Sequence, residues 1–221
     1  MQPRRAVRSQ PWLRVVPPAG GREAAAAPTD EAIIEAVRSG DRVVASALYD
    51  RLIGVVDRTL CRVFGRREPD HDDMVQATFE QIVSTLVRRK YAGACGLNTW
   101  ASTLATHVGL NALRSRRRAR RVMEPVGEEP VDTYVAGNGP DPEQHAGSRA
   151  AVEKVRAHLA DMDPVKAEAL FLHDVLGHDL AEISVLTGVT VAAAQSRLVR
   201  GRKELHERLA RDTAKEGERH G

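Results

Sequence analysis

The sequence predicts an all-α protein of two small helical domains joined by a flexible linker. Aromatic residues make up 4% of the chain and charged residues 29%. Any core must therefore consist mainly of Leu, Val, Ile and Ala, a composition that favours helices over sheets. Apolar residues recur at helical spacing in two long regions, and a segment rich in Pro, Gly and acidic residues separates them.

These patterns divide the 221 residues into five segments. Residues 1–28, rich in Pro, Ala, Gly and Arg, are expected to form a disordered N-terminal extension. The first domain spans 29–121 and the second spans 148–213. An acidic flexible linker, 122–147, is expected to join the two domains, and 214–221 to form a disordered polar tail.

The first domain is predicted to contain four helices. Asp30 is expected to cap the first of them. The breaks fall at Gly40, around Glu68-Pro69, and at 93–96, where Gly or Pro interrupts the periodic pattern. The predicted helices are 30–39, 41–65, 71–90 and 99–121.

The second domain ends in a pattern typical of a helix–turn–helix. A helix over 148–162 is followed by Asp163-Pro164, which opens another helix to about Val175. A short apolar helix from Leu180 then ends at Gly188, and a longer one begins after Thr190. An ordinary corner between two helices with a solvated basic face is the alternative interpretation.

The last helix has two unlike faces. Val191, Ala194, Leu198 and Leu205 share an apolar stripe. The opposite face is small at its start and basic further along, which suits a helix that enters a DNA major groove by its N-terminus. That face consists of Ala192, Ala193, Ser196, Val199, Arg200 and Lys203.

Positive charge is concentrated in two places, although the formal net charge is only +3. Six arginines lie between Arg114 and Arg121, and six Lys or Arg residues lie between Arg197 and Arg211. The stretch from Glu124 to Glu143 contains six acidic residues and no Lys or Arg. Two basic patches joined by an acidic connector indicate two contacts with a polyanion, and the arginine group is expected to contact phosphates.

The third helix is acidic, with no Lys or Arg between Glu68 and Arg88. Acidic residues at a helix N-terminus are common on a solvated surface, because they complement the helix dipole. In a chain with two DNA-like patches, the same face is suited to bind protein. Gln76 and the acids would supply polar contacts there, with Phe79 as an apolar anchor.

A loop of small residues, 91–98, connects the third and fourth helices. It could be a plain connector. Together with Trp100 and the arginine-rich helix it also offers what capture of single-stranded DNA requires, namely room for a base, a stacking surface and a track for phosphates. Trp100 continues a stripe with Leu104 and Val108, so core packing is its alternative role.

Several function classes are disfavoured by the sequence. Cys61 and Cys95 form neither a CxxC pair nor a disulfide framework, and no signal peptide or run of 18 apolar residues is present, so we expect a cytoplasmic protein without membrane insertion. No nucleophile–base arrangement stands out, so we expect no enzymatic activity, no small-molecule substrate and no cofactor. A metal phosphohydrolase is the alternative, because three His-Asp pairs occur, but no further His at ligand spacing closes a site. The pairs are His71-Asp72, His173-Asp174 and His178-Asp179.

Four stretches, in this order, resemble the sigma factors of bacterial RNA polymerase. They are DHDDMVQATFEQIV (70–83), NTWASTLATHVGLNALRSRRR (98–118), LADMDPVKAEALFLHDVLGHDLAEIS (159–184) and TVAAAQSRLVRGRKEL (190–205). The chain is similar to the sigma-70 family, in its extracytoplasmic-function (ECF) type, which carries only domains 2 and 4. The resemblance implies a non-enzymatic specificity subunit that binds core polymerase and recognises promoter −10 and −35 elements.

The resemblance also implies roles for particular residues. Contact with the β′ clamp helices falls on Asp72, Asp73, Gln76 and Phe79. Contact with the −10 element, and help in melting it, falls on Ala94, Asn98, Trp100, His107, Asn111, Arg114, Arg117 and Arg118. Contact with the −35 element falls on Gln195, Ser196, Arg197, Val199, Arg200 and Lys203. Domain 4 is further implied to bind the β flap, and an anti-sigma factor is implied as a partner.

The chain departs from the family pattern at a few of these positions. Thr106-His107 stands where the family commonly has Arg-Asn, and Asn111 where it has Asp. Gln195 replaces a usual cation, which should weaken a phosphate contact or change the base preference. A helix–turn–helix regulator that binds duplex DNA by itself, with 30–121 as a sensor or dimerisation domain, is the alternative function.

Overall fold

The computed structural model describes residues 28–123 and 142–219. In these residues the chain forms helices connected by short turns. They are α1 (Asp30–Ser39), α2 (Arg42–Phe64), α3 (His71–Val87), α4 (Leu97–Met123), α5 (Pro142–Asp161), α6 (Pro164–Leu170), a π-helical segment (Phe171–Val175), α7 (Leu180–Thr187) and α8 (Val191–Arg219). The all-α class predicted from the sequence is confirmed for the described residues. None of the helices in this part is long and apolar enough to cross a membrane.

The N-terminal domain, α1–α4, is organised around the packing of α2 against α4. Leu52, Val56 and Leu60 lie on the buried face of α2 with no exposed surface. Their spacing of four residues places them on one side of the helix, as the helical stripe predicts. Helix α3 adds Ile82 and Leu86 to the same core. The core therefore consists of aliphatic side chains, as the composition indicates.

Local capping explains where several helices begin and end. Thr29 caps α1, since its side chain accepts a hydrogen bond from the backbone N–H of Ala32, and Asp30 is the first helical residue rather than the predicted cap. Asp163 caps α6 by accepting from the N–H of Val165. Gly188 ends α7 in the left-handed conformation, with φ 67°. Each of these residues stabilises a backbone group that the helix itself leaves unpaired.

Several helix boundaries differ from the predictions. Helix α3 ends at Val87 instead of 90, because the turn at 88–89 includes Arg89 with φ 55°. Helix α4 extends to Met123 and α5 already begins at Pro142. Both ends of the predicted linker 122–147 are therefore helical, and its middle, like the extension 1–27, lies outside the described residues. Helix α8 runs on to Arg219, so 214–219 extend a helix instead of forming the expected tail.

The C-terminal domain, α5–α8, contains the predicted helix–turn–helix. Leu172, Ile183 and Ala194 form a small core of its own between the π-helical segment, α7 and α8. Asp179 and Glu182 form a reciprocal capping box at the start of α7. Val191, assigned to the apolar stripe from the sequence, is instead 47% exposed at the first turn of α8.

The two domains share one larger apolar core. Leu159, Met162, Leu170 and Phe171 of the C-terminal domain belong to the same buried cluster as Val63 and its neighbours in the N-terminal domain. The contact is made mainly by α5 and α6 against α4. Because burial of apolar surface is the main favourable term in folding, this seam holds the domains together in the structure.

Substitution of Leu60 by Ala should lower the free energy of unfolding by about 2–5 kcal/mol, because it leaves a cavity in a fully buried site. Val87→Ala is the matched control, since the Val87 side chain is 53% exposed, and it should change stability by less than about 0.5 kcal/mol. Urea unfolding followed by circular dichroism measures both. Equal effects of the two substitutions would contradict the assigned core.

Candidate nucleic-acid interface

Helix α8 presents the residues predicted to read duplex DNA on its outer surface. Gln195, Val199, Arg200 and Lys203 are exposed, while Ser196 and Arg197 are half-buried. The buried Ala194 and Leu198 hold the opposite side of the helix. Thr190 caps the first turn by accepting a hydrogen bond from the N–H of Ala193 at 3.2 Å. The predicted face of the helix is therefore rigidly supported and open to solvent.

Two cations of the second basic run serve the fold instead of this face. Arg202 donates from Nε to Asp174 Oδ2 at 3.1 Å and so ties α8 to the π-helical segment. This hydrogen bond lowers the pKa of the Asp174 carboxyl. Arg208 binds Glu204, which also accepts from Lys166 Nζ at 2.8 Å. The hydrogen bond from Lys166 is the main cause of a lowered pKa of Glu204.

Gly201 allows α8 to lie close to α6. A Cβ at this position would come within 3.1 Å of Leu170 Cδ1 and 3.2 Å of the backbone oxygen of Lys166. This close contact with α6 fixes the position of α8 at Gly201, which lies between Arg200 and Lys203 near the end of the predicted DNA-reading face. Sequence reasoning missed Gly201 because a lone glycine inside a helical pattern does not reveal what packs against it.

The six arginines of α4 do not act as one group. Arg116 is held by Glu68 Oε2 at 3.1 Å and by Asp70, with its guanidinium 4.6 Å above the Phe64 ring. The hydrogen bond from Arg116 lowers the pKa of Asp70. Arg118 and Arg120 lie on the exposed side of the helix. Within the arginine group, Arg116 thus serves the fold, while Arg118 and Arg120 are open to solvent.

The other three arginines of α4 face the C-terminal domain. Arg121 Nη2 lies 2.7 Å from Asp161 Oδ2, and Arg117 Nε lies 3.5 Å from the same oxygen. Arg114 is 8% exposed, and burial lowers the pKa of its guanidinium. Arg114 also donates to Asn111 Oδ1 at 2.6 Å. Predicted −10 residues thus contact each other and the second domain.

The loop at 91–98 is braced by an aromatic pair. The rings of Tyr91 and Trp100 lie 4.7 Å apart, and the Tyr91 hydroxyl donates to the carbonyl oxygen of Cys95. Trp100 is partly buried, in agreement with a packing role, while Ala94 and Asn98 are exposed. His107 lies further along α4, 3.7 Å from Glu168, and this polar contact raises the pKa of the imidazole.

The acidic surface of α3 lies apart from the seam between the domains. Asp72, Asp73 and Gln76 are exposed, and Gln76 donates to Glu80 at 3.0 Å. Phe79, expected as an apolar anchor for a partner, is half-buried with its ring 4.8 Å from that of Tyr49. The exposed part of this surface is therefore polar and acidic.

The three His-Asp pairs take part in local contacts. His71 is 1% exposed and its Nε2 lies 2.8 Å from Asp57 Oδ1. Among the described residues one cluster could hold a metal ion, formed by Asp57, Cys61 and His71. Asp57 Oδ1 also accepts from Arg67 at 2.9 Å, so a cation already occupies part of that coordination space. The cluster uses none of the Asp residues of the His-Asp pairs.

Comparison with known proteins shows what the chain is similar to. Residues 153–205 match the model described as "Sigma-70, region 4". The chain is 29% identical over 168 residues to RNA polymerase sigma factor CnrH of Cupriavidus metallidurans, covering 73% of this chain and 85% of that protein. It is 29% identical over 192 residues to ECF RNA polymerase sigma factor SigE of Mycolicibacterium smegmatis, covering 85% of this chain and 70% of that protein.

Solved structures of similar proteins were also found. One is titled as CnrH in complex with the cytosolic domain of CnrY, with 21% identity, a TM-score of 0.48, and coverage of 83% of this chain and 98% of that chain. A second is titled as the sigma factor RpoE with the anti-sigma factor NepR from Bartonella quintana, with 19% identity, a TM-score of 0.42, and coverage of 73% and 94%.

The matched residues 153–205 comprise most of the C-terminal domain, including both helices of the helix–turn–helix. Together with the relatives that extend over the N-terminal domain, they make the chain similar to sigma factors of the sigma-70 family, one of which is named as an ECF sigma factor.

Gly201→Val should lower the free energy of unfolding by about 1–3 kcal/mol, because the added side chain overpacks the contact between α8 and α6. Gly217→Val is the matched control, since nothing lies within 4 Å of a Cβ at Gly217, and it should be nearly neutral. Urea unfolding of both variants compares the two positions. A neutral Gly201→Val would show that the close approach does not seat α8.

Proposed function

We propose that the chain is a sigma factor that binds core RNA polymerase through the acidic surface of α3 and directs it to promoters with two elements. The carrying observation is the open face of α8, with Arg200 and Lys203 exposed beside Val199, on a helix seated by Ala194 and Leu198. Helix α8 supplies one DNA contact. Helix α4, with the loop that precedes it, supplies the second.

The α8 face suits the major groove of a −35 element. Arg200 can donate to a guanine edge, Gln195 can pair with an adenine, and Val199 can contact a thymine methyl group. Lys203 and Arg197 are placed to contact flanking phosphates, which position a reading helix without specifying sequence. The small residues at the start of α8 let the backbone of the first turn approach the bases.

The start of α4 and the loop 91–98 suit single-stranded DNA of the −10 element. Asn98 and Ala94 are exposed at the loop, and Arg118 is exposed further along α4. Bases stack on aromatic or apolar surfaces while cations follow the backbone. His107 and Asn111 are also exposed on α4, and the proposed surface further includes the half-buried Trp100 and Arg117 and the buried Arg114. The same contacts would favour the melted promoter over duplex.

Contact with polymerase is proposed for the acidic surface of α3, formed by Asp72, Asp73 and Gln76, with the half-buried Phe79 beside it. An acidic surface is repelled by DNA and attracted to basic protein, so it separates the two partners. The β′ clamp helices are the proposed partner of α3, and the β flap that of the C-terminal domain. An anti-sigma factor is proposed as a regulatory partner.

Binding to core polymerase should be lost in the double variant Asp73→Lys/Gln76→Ala and kept in Arg200→Ala. Both changes lie at exposed side chains, so both variants should fold, as circular dichroism and urea unfolding can check. The measurement is co-elution of the full chain with core RNA polymerase by size exclusion. A wild-type chain that fails to co-elute but binds duplex DNA tightly alone would favour the stand-alone regulator.

Reading of the −35 element should depend on Arg200. The measurement is transcription by the reconstituted holoenzyme from a library of randomised promoters. Arg200→Ala should lower transcription from promoters with the preferred −35 sequence about 10–100-fold, and it should relax the base preference at one position of that element. Arg211→Ala is the control, since Arg211 lies three turns further along α8 and donates to the Glu207 carbonyl. Equal loss in both variants would exclude Arg200 as a base-reading residue.

A further inference from the structure

We propose that Asp57, Cys61 and His71 form a binding site for one divalent metal ion of the zinc class, where the end of α2 meets the start of α3. Asp57 and Cys61 lie one turn apart on α2, and His71 is the first residue of α3. A carboxylate oxygen, a sulfur and a ring nitrogen, one from each residue, all lie within 4.8 Å of one another. None of the three residues belongs to the proposed DNA or polymerase contacts.

The fold brings these side chains together from two helices. Residues four apart share a helix face, so Asp57 and Cys61 are presented side by side. Helix α2 ends at Gly65, which has φ 74°, and the chain turns back toward α3. The backbone N–H of His71 donates to the carbonyl oxygen of Glu68 at 3.0 Å and so fixes the start of α3. The three ligands are therefore held by regular structure and a short turn.

The His71 ring is the observation that points to a ligand. Its side chain is 1% exposed, and its Nε2 lies 2.8 Å from Asp57 Oδ1. Its Nδ1 is also buried and has no hydrogen-bond partner among the described atoms. A histidine that only filled the core would be expected to pair both ring nitrogens, since an unpaired buried polar atom costs free energy. Neutral imidazole is the commonest metal ligand, and a metal beside Asp57 and Cys61 would use the ring nitrogen that faces them.

The set of donor atoms suits Zn²⁺. Thiolate sulfur, imidazole nitrogen and carboxylate oxygen are its usual protein ligands, and in a tetrahedral site they lie about 3.3–3.5 Å apart, so movements of about an ångström would bring the three atoms into place. Mg²⁺ and Ca²⁺ take oxygen ligands and are not expected to bind. Three protein ligands leave a fourth position for water, unlike the four protein ligands of a structural zinc site. We therefore expect an ion that exchanges with solvent.

Arg67 is the cation that a metal ion must displace. Its Nη1 donates to Asp57 Oδ1 at 2.9 Å, and its Nη2 donates to Asp72 Oδ1 at 2.7 Å. The Arg67 side chain is 59% exposed, and exposed ion pairs contribute little net free energy. The guanidinium can therefore leave Asp57 at little cost and keep its contact with Asp72.

The metal ion must also displace a proton from Cys61. Burial is the main cause of a raised pKa of this thiol, so the thiol keeps its proton until the ion arrives. On binding, a bond between sulfur and metal forms, the S–H bond breaks, and the proton passes to solvent. The charge of the ion is then balanced by the thiolate and the Asp57 carboxylate.

The test adds Co²⁺ or Zn²⁺ alone to the reduced, metal-free and untagged full chain. Co²⁺ bound by a thiolate has a sulfur-to-metal charge-transfer band in the near ultraviolet, which Co²⁺ bound only by nitrogen and oxygen lacks. Cys61→Ser removes the proposed thiolate, and Cys95→Ser is the matched control, because it changes the other half-buried free cysteine. Asp57→Asn and His71→Gln remove the other two ligands. Circular dichroism checks folding, and Asp57→Asn remains as a test if the buried His71 cannot be replaced.

We expect one equivalent of Co²⁺ to produce the band in the wild type and in Cys95→Ser, and no band in Cys61→Ser. Zn²⁺, which has a filled d shell, should displace Co²⁺ and abolish the band. Asp57→Asn and His71→Gln should each weaken Co²⁺ binding by at least about 10–100-fold, because loss of a ligand costs at least as much as loss of a group that orients one.

A wild-type chain without the band in excess Co²⁺ would overturn the site. A band that survives in Cys61→Ser, or that disappears in Cys95→Ser, would place the metal ion elsewhere. Equal affinity in the wild type and in folded Asp57→Asn would reduce the site to a thiol without its carboxylate and overturn the set of three ligands. Because these measurements involve neither polymerase nor DNA, their outcome is independent of the proposed function.

Discussion

The close packing of α4 against α2 is the constraint on which the rest of the structure depends. Ala101, Ala105 and Gly109 recur every four residues on the buried side of α4. A Cβ on Gly109 would lie 3.0 Å from Val63 Cγ1, so this small-residue stripe lets the two helices approach closely. Because side chains four apart share a helix face, fixing one side of α4 also fixes the other. The opposite side then carries His107, Arg114 and Arg118 in a row. His107 and Arg114 meet α6 of the second domain, and Arg118 is exposed.

Features encoded over a few residues could be predicted from the sequence, and the helix–turn–helix shows why. Gly188 is the left-handed end of α7, and Thr190 caps α8, each through contacts within a few positions. Helix lengths at the domain edges were less predictable. Helix α8 continues through 214–219 although the sequence there is polar, since helix propagation adds one hydrogen bond per residue and needs no new nucleus. Phe79, expected as an apolar anchor for a partner, is half-buried, with its ring 4.8 Å from that of Tyr49, thirty positions earlier in the chain.

Long-range pairing of charge could not be predicted from composition or local pattern. Arg116 is bound by Glu68 from the turn before α3, and Arg202 is bound by Asp174 from the π-helical segment. Both arginines belong to the basic runs that the sequence predicts to bind a polyanion. Because these two arginines are bound within the fold, fewer basic side chains remain for a polyanionic partner. The basic side chains that stay exposed, such as Arg118 and Arg200, lie on faces that the fold defines. The local runs of basic residues thus predict the class of partner, and tertiary contacts select which of these residues stay open to it.

The seam between the domains has an apolar part and a polar part, which contribute differently to its stability. Its apolar part, with Leu170 and Phe171 in the shared core, supplies non-directional stability. Its polar part is different, since Arg114 is buried with an unpaired Nε and Arg117 also has an Nε without a hydrogen-bond partner among the described atoms. Ion pairs at a partly hydrated seam contribute little net free energy. Replacing them by ion pairs between the same guanidiniums and a polyanion would therefore cost little free energy.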